Sequence, residues 1–61
     1  MKLTLECECE QDGRWLAEVV ELPGVLSYGG TSREALARAE VLALCVLSEQ
    51  MAHREFSPQL A

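Results

Sequence analysis

The stretch KLTLECECEQDGRWLAEVVEL, residues 2–22, decides the fold. Its first half alternates strictly between apolar and polar residues, which is the pattern of a β-strand with one buried face. Asp12-Gly13 then separates this half from a second β-like run, and Asp-Gly between two such runs is a strong hairpin signal. We therefore predict two antiparallel strands, over about residues 2–10 and 14–22. The apolar face of the first strand is formed by Leu3, Leu5, Cys7 and Cys9.

The second strand also has two distinct faces. We assign its core face to the side that carries the tryptophan, because the opposite side carries Glu18. The predicted core residues of this strand are Trp15, Ala17 and Val19. The predicted outward side of the sheet then consists of Glu6, Glu8, Glu10, Leu16, Glu18 and Val20.

A turn and a short third strand follow. Leu22-Pro23-Gly24 predicts the turn, because proline has no N–H to donate and glycine tolerates positive φ. Residues 25–28 are β-compatible and precede Gly29-Gly30, so we predict a third strand there. Which of its residues face inward is left open, because Leu26 and Tyr28 compete with Val25 and Ser27.

A single helix is predicted over about residues 32–53. Thr31 and Glu34 fit a capping box, in which the threonine hydroxyl accepts from the Glu34 N–H and the Glu34 carboxylate reaches back to the Thr31 N–H. Pro58 is expected to end regular structure within a tail over 54–61, where residues 55–60 form either a short edge strand or an irregular end. The stripe expected to pack on the sheet is Ala35, Leu36, Ala39, Leu42, Ala43, Val46 and Gln50.

These elements predict one α+β domain over residues 1–61, a three-stranded antiparallel meander followed by one helix. A chain of 61 residues buries only about 60% of the surface that its unfolded chain exposes, and a domain of this size usually needs a disulfide, a metal or self-association. A second apolar helix surface outside the sheet-facing stripe leads us to expect a homo-oligomer. The residues predicted to form that contact are Val41, Leu44, Cys45 and Ser48.

The composition excludes several classes of function. The net charge is −5, which argues against direct nucleic-acid binding and favours a basic protein partner. No apolar run approaches the roughly 20 residues of a membrane span. Residues 1–10 lack the apolar core of a signal peptide, and the three cysteines do not suggest a secreted disulfide scaffold, so we expect a cytoplasmic protein.

Two candidate chemistries compete with simpler interpretations. Cys7 and Cys9, with Cys45 and His53, could supply zinc ligands, but alternation places both strand cysteines on the apolar face, where free cysteine acts as a small hydrophobe. The outward glutamates could hold two Mg²⁺ ions for phosphodiester cleavage, but an open sheet face offers no cleft. His53, near the predicted helix C-terminus, is better explained as a cation that offsets the helix dipole than as a catalytic acid or base. We therefore expect a binding protein without a catalytic, cofactor or metal site.

Several motifs, in order, resemble the HicB antitoxin family. They are Asp12-Gly13-Arg14-Trp15-Leu16-Ala17-Glu18-Val19, then Glu21-Leu22-Pro23-Gly24-Val25, then Gly29-Gly30-Thr31-Ser32-Arg33-Glu34-Ala35-Leu36. The resemblance covers about residues 3–50. It implies a partial ribonuclease-H-like β-β-β-α fold without catalytic residues.

The resemblance also implies a function. HicB-like proteins neutralise HicA-like toxins, small basic ribonucleases, by covering their active surface, and many carry a C-terminal DNA-binding segment that we do not expect here. The predicted function is thus an antitoxin-type domain whose outward sheet side binds a basic HicA-like toxin. The alternative is a stand-alone oligomeric domain, structural or binding a small ligand, with no toxin partner.

Overall fold

The computed structural model describes the backbone of residues 2–60 and the side chains of residues 2–52. It contains a three-stranded antiparallel sheet, in the order β1-β2-β3, and one helix that packs on it. The predicted α+β meander followed by a helix is confirmed, with strands shorter than expected. The elements are β1 (Leu5–Cys9), β2 (Trp15–Val19), β3 (Leu26–Gly29) and α1 (Ser32–Leu60).

Both predicted turns are present. In the β1–β2 hairpin, the Gly13 N–H donates to the Glu10 carbonyl at 3.0 Å, and Gly13 has a φ of 91°. In the β2–β3 turn, the Val25 N–H donates to the Leu22 carbonyl at 3.0 Å, and Gly24 also has a φ of 91°. An L-residue with a side chain rarely adopts that φ, so both turns require glycine.

The register settles which side of β3 faces the helix. Ser27 lies opposite Ala17, and Gly29 lies opposite Trp15. Because side chains opposite each other in a sheet share a face, Ser27 and Gly29 lie on the helix side. Leu26 and Tyr28 therefore point away from the helix, which resolves the competition that the sequence left open.

The core is built almost entirely from small side chains. The buried residues are Ala17, Val19, Ala35, Ala39 and Ala43, and no large side chain among the described residues is fully buried. Partly buried apolar residues surround this cluster. They include Trp15 and three residues predicted to face inward, Leu3, Leu5 and Cys7. Cys9, which was expected on the same face, is exposed, because it ends β1 at the edge of this cluster.

One glycine sets the distance between the sheet and the helix. A Cβ added to Gly29 would lie 2.6 Å from the backbone nitrogen of Ala35 and 3.1 Å from its Cα. Real Cβ atoms do not approach backbone that closely. The helix N-terminus therefore sits directly on the backbone of β3, with no room for any side chain between them.

The helix cap differs in one bond from the predicted capping box. The Glu34 N–H donates to Thr31 Oγ1 at 3.1 Å, as predicted. The Glu34 carboxylate, however, accepts from the Gly30 N–H at 3.0 Å instead of from the Thr31 N–H. The carboxylate thus ties the helix to the residue that immediately follows β3, which holds the short connection between the two elements in place.

The predicted end of the helix was wrong. The helix does not end near residue 53 but continues through Pro58 to Leu60, so residues 55–60 form no edge strand. Proline has a φ compatible with a helix and lacks only the amide donor. Pro58 therefore removes the one hydrogen bond that its amide would have donated to the carbonyl four residues earlier, and the helix ends two residues later, at Leu60.

Two residues of the predicted sheet-facing stripe do not reach the sheet. Leu42 is 43% exposed, and Gln50 is exposed as well. Leu42 turns toward an open groove of about 410 Å³ beside β3, whose other lining residues include Ser27 and Val41. The sheet is too short to lie beneath Gln50.

The helix is much longer than the sheet beneath it. Its 29 residues span about 43 Å at 1.5 Å per residue, whereas a strand of five residues spans about 17 Å. The molecule accordingly measures 51 × 17 × 15 Å. Among the helix residues whose side chains are described, Ala43 is the last buried one, so α1 projects beyond the sheet toward its C-terminus.

A bidentate contact ties the start of the chain to the β2–β3 turn. Glu21 accepts from the Thr4 N–H at 2.6 Å and from the Thr4 hydroxyl at 2.7 Å. The hydrogen bond from the Thr4 N–H, and next that from its hydroxyl, hold the pKa of Glu21 below its usual value. A carboxyl whose pKa is lower in the folded state stabilises the fold above its unfolded pKa, and that contribution disappears as the pH falls through the folded pKa.

We expect Glu21→Gln to lower the thermal midpoint modestly at pH 7, because the charged acceptor is lost at an exposed site. The difference from the parent chain should shrink as the solution is acidified below the folded pKa of Glu21, where the parent carboxyl is protonated as well. Thermal melts followed by circular dichroism from pH 7 down to pH 3 measure this. A difference that does not change over that range would contradict the role given to the Glu21 carboxylate.

Candidate functional site

The sheet side that faces away from the helix carries most of the predicted site. We call this side the outer face. Two rows of residues cross it. In one row Glu6 lies opposite Glu18, which lies opposite Leu26; in the other, Glu8, Leu16 and Tyr28 lie side by side. The outer face comprises Glu6, Glu8, Leu16, Glu18, Leu26 and Tyr28.

The β1 side of the outer face is acidic. An open depression of about 480 Å³ is lined by Glu6, Glu8, Leu16 and Glu18, with Cys7 between the two glutamates of β1. Glu6 and Glu18 are directly opposed across two hydrogen-bonded strands. Like charges in that position repel and destabilise the sheet. The fold therefore maintains an unfavourable concentration of negative charge at this depression.

The β3 side of the outer face is apolar and aromatic. Leu26 is 40% exposed and Tyr28 is 37% exposed. The Arg14 guanidinium lies over the Tyr28 ring, with Cζ 4.4 Å from the ring centroid, an arrangement typical of a cation–π interaction. These three residues were not among the predicted site residues. The alternation of residues 25–29 predicts that every second residue lies on the outer face. It does not show which set of residues that is, because this depends on the pairing of β3 with β2.

The hairpin holds Arg14 in position over the tyrosine. Asp12 accepts from the Arg14 backbone N–H at 3.0 Å and from its Nε at 2.8 Å. These two hydrogen bonds, the backbone one first, lower the pKa of Asp12. Arg14 therefore places a fixed positive charge at the rim of an otherwise acidic and apolar face.

The structure does not bring all six predicted partner-binding residues together. Glu6, Glu8, Leu16 and Glu18 line the depression. Val20 is exposed but lies just beyond the end of β2, in the turn. Glu10 lies beyond the end of β1, where its N–H donates to the Arg14 carbonyl at 2.7 Å, and it does not line the depression. Four of the six predicted residues therefore line the acidic depression.

Nothing in the described part of the chain assembles a metal site. No group of three or more His, Cys, Asp or Glu residues whose side chains the structure describes could hold a metal ion. Cys7 is half-buried, and Cys9 and Cys45 are exposed, all as free thiols. His53 lies outside the residues whose side chains are described.

The four residues predicted for self-association all lie on the exposed surface of α1. Val41 is 59% exposed and Leu44 is 62% exposed. Cys45 and Ser48 are exposed as well. Met51, one turn beyond Ser48, adds a further exposed apolar side chain at 55%. This helix surface is separated from the outer face by the full thickness of the domain.

Comparisons with known proteins do not identify a family. Neither a scan against models of protein families nor searches of curated proteins and of solved structures found a match. Within the described residues, no helix has the length and hydropathy needed to cross a membrane. The features of this chain that point to a function are therefore the geometry of its outer face and its sequence motifs.

Proposed function

We propose that this chain is a HicB-like antitoxin-type domain, which binds a small basic HicA-like ribonuclease toxin through its outer face and covers the active surface of that toxin. The observation that carries the proposal is the direct opposition of Glu6 and Glu18 on an exposed sheet face. The family resemblance of the motifs supplies the identity of the partner. The domain acts by binding and performs no chemistry of its own.

The opposed glutamates favour a cationic partner for an energetic reason. In the free domain their mutual repulsion is unfavourable. A lysine or arginine from a partner that enters the depression relieves this repulsion and gains charge-assisted hydrogen bonds. Electrostatic complementarity of this kind also accelerates encounter between the two proteins.

The apolar side of the outer face supplies an aromatic anchor for binding, which charge alone does not provide. Interface cores are enriched in aromatic residues and arginine, and those residues commonly carry most of the binding energy. Tyr28, with Arg14 held above it at 4.4 Å, offers such an anchor beside Leu26. A partner that spans both sides of the face would contact charge near β1 and an aromatic anchor near β3.

The test is co-expression and pull-down with a HicA-like protein from the same genome, followed by titration of the complex. We expect Glu18→Lys to weaken binding by about tenfold or more, because it reverses the charge at the centre of the acidic depression. Glu49→Lys makes the same change in net charge on the exposed surface of α1 and should have little effect. Raising the salt concentration should weaken the parent complex more than the Glu18→Lys complex.

Two results would count against the proposal. One is the absence of a complex with any HicA-like protein of that genome. The other is an equal loss of affinity for Glu18→Lys and Glu49→Lys, which would show that net charge and not the outer face determines binding. Circular dichroism spectra of both variants establish that the fold is retained.

A stand-alone oligomeric domain, structural or binding a small ligand, is the second candidate. The exposed apolar residues of α1, above all Val41 and Leu44, favour it, since a toxin bound at the outer face would leave them uncovered. The neighbouring reading frames separate the two candidates. A short basic frame adjacent to this one favours the antitoxin, and its absence favours the stand-alone domain.

A further inference from the structure

The amount of surface that this chain exposes is too large for a compact monomer. A folded protein of 6.7 kDa is expected to expose about 3,900 Å², whereas this chain exposes 4736 Å². The excess of about 800 Å² equals the area that each partner buries in a standard protein interface. The radius of gyration is likewise 14.4 Å, against about 10.5 Å expected for a chain of this length.

The exposed side of α1 has the spacing of a coiled-coil seam. Val41, Leu44, Ser48 and Met51 follow one another at intervals of three, four and three residues, and Ala37 precedes them by four. This is the a/d spacing of a heptad repeat. At 3.6 residues per turn, Val41, Leu44 and Ser48 lie about 140–200° around the helix from Ala39, which is buried against the sheet. We call these five residues the seam.

From these observations we propose that two copies of this chain form a dimer by packing their α1 helices antiparallel along the seam, with the two sheets on the outside. The proposal is independent of the function proposed for the outer face, which remains exposed in such a dimer.

The antiparallel register follows from the seam and from the helix bounds. In an antiparallel coiled coil, a positions pack beside d positions of the other helix. Pairing Val41 with Met51 of the second copy, and Leu44 with Ser48 of the second copy, centres the pair on residue 46. Residue 46 is also the midpoint of Ser32–Leu60. In the register that pairs the seam residues in this way, the two helices therefore overlap over their full length.

In this arrangement the projecting part of each helix packs on the helix of the other copy. A helical segment without tertiary contacts is only marginally stable in water. In the antiparallel dimer, the part of α1 beyond Ala43 lies along the sheet-supported part of the partner helix. Small residues at two seam positions, Ala37 and Ser48, permit close approach of the two helices.

A second copy fits the seam better than other occupants. A basic protein would be attracted to the glutamates of the outer face, on the opposite side of the domain. A lipid surface requires flanking Lys and Arg residues, whereas the exposed charges near the seam, among the residues whose side chains are described, are mixed in sign: Arg33 and Arg38 against Glu34, Glu40 and Glu49. Uncharged, heptad-spaced side chains are suited to another helix of the same kind.

The first test is the mass in solution. We expect sedimentation equilibrium at micromolar concentration to give about twice 6.7 kDa. Val41→Lys should weaken dimerisation at least about tenfold, because it places a charge within the seam. Val20→Lys is the matched control, since Val20 is 51% exposed and Val41 is 59% exposed; it should leave the dimer intact. A monomeric parent chain, or equal effects of the two substitutions, would overturn the proposal.

The second test fixes the register and does not depend on stability. In a background in which Cys7, Cys9 and Cys45 are replaced by Ser, we would prepare Leu44→Cys and Ser48→Cys as separate proteins. Oxidation of their mixture should give a disulfide-linked dimer, while each protein oxidised alone should give little. Efficient cross-linking of Leu44→Cys with itself would indicate a parallel pair, and no cross-linking in the mixture would contradict the seam; either result overturns the proposed register.

Discussion

Gly29→Ala is expected to destabilise the fold by about 3 kcal/mol, at the upper end of the range for overpacking a well-packed site. The added methyl group would lie 2.6 Å from the Ala35 nitrogen and 3.1 Å from its Cα. Both atoms belong to the first turn of α1, so no side-chain rotation can relieve the clash. The helix must lift from β3 or the strand must shift. For a domain this small, a loss of that size is a large fraction of the total stability.

The neighbouring glycine provides a matched control. A Cβ on Gly30 meets nothing within 4 Å, and positive φ among the described glycines occurs only at Gly13 and Gly24. Gly30→Ala should therefore be neutral or slightly stabilising, by up to about 1 kcal/mol through the unfolded state. Urea unfolding of both variants measures the difference. Similar midpoints for the two would contradict the close contact between β3 and α1.

Ala39→Leu is the second substitution with a large expected effect. Ala39 is fully buried in the middle of the sheet-facing stripe, and Ala17 of β2 is fully buried in the same cluster. Leucine adds three carbon atoms where the helix and sheet are already in contact, at a cost of about 1–3 kcal/mol. Intrinsic helix propensity contributes little, because alanine and leucine are both strong helix formers.

Ala52→Leu makes the same chemical change on the exposed surface of the helix. It should alter the free energy of unfolding by no more than about 0.5 kcal/mol. Denaturant unfolding of Ala39→Leu, Ala52→Leu and the parent chain, at equal concentration, separates the packing effect from propensity. A stability of Ala39→Leu equal to that of the parent would show that helix and sheet are less closely packed than the buried alanines indicate.

The order and type of the elements could be predicted from local patterns. Alternation in residues 2–22, glycines at the turns and a threonine cap are each determined by nearby residues. Which side of β3 faces the helix could not be predicted in this way, because Leu26 and Tyr28, which point away from the helix, are more apolar than Ser27 and Gly29, which face it. Only the pairing of Ser27 with Ala17, a contact between residues distant in sequence, fixes it.

The length of the helix and the aromatic half of the outer face escaped prediction for different reasons. Pro58 predicts a helix stop, whereas the helix continues through it to Leu60. The acidic half of the outer face followed from the alternation of β1 and β2. Its aromatic half, with Arg14 stacked on Tyr28, depended on the register of β3. The small size of the core side chains was visible in the sequence, but the close approach at Gly29 was not.

A core of alanines has a thermodynamic consequence. The heat capacity change of unfolding and the sensitivity to denaturant both scale with the apolar surface that unfolding exposes. Among the residues whose side chains are described, only Ala17, Val19, Ala35, Ala39 and Ala43 are buried, so both quantities should be small for one subunit. Its stability curve should be shallow and its melting transition broad. For a subunit that associates with a copy of itself, the folded fraction would then depend on protein concentration as well as on temperature.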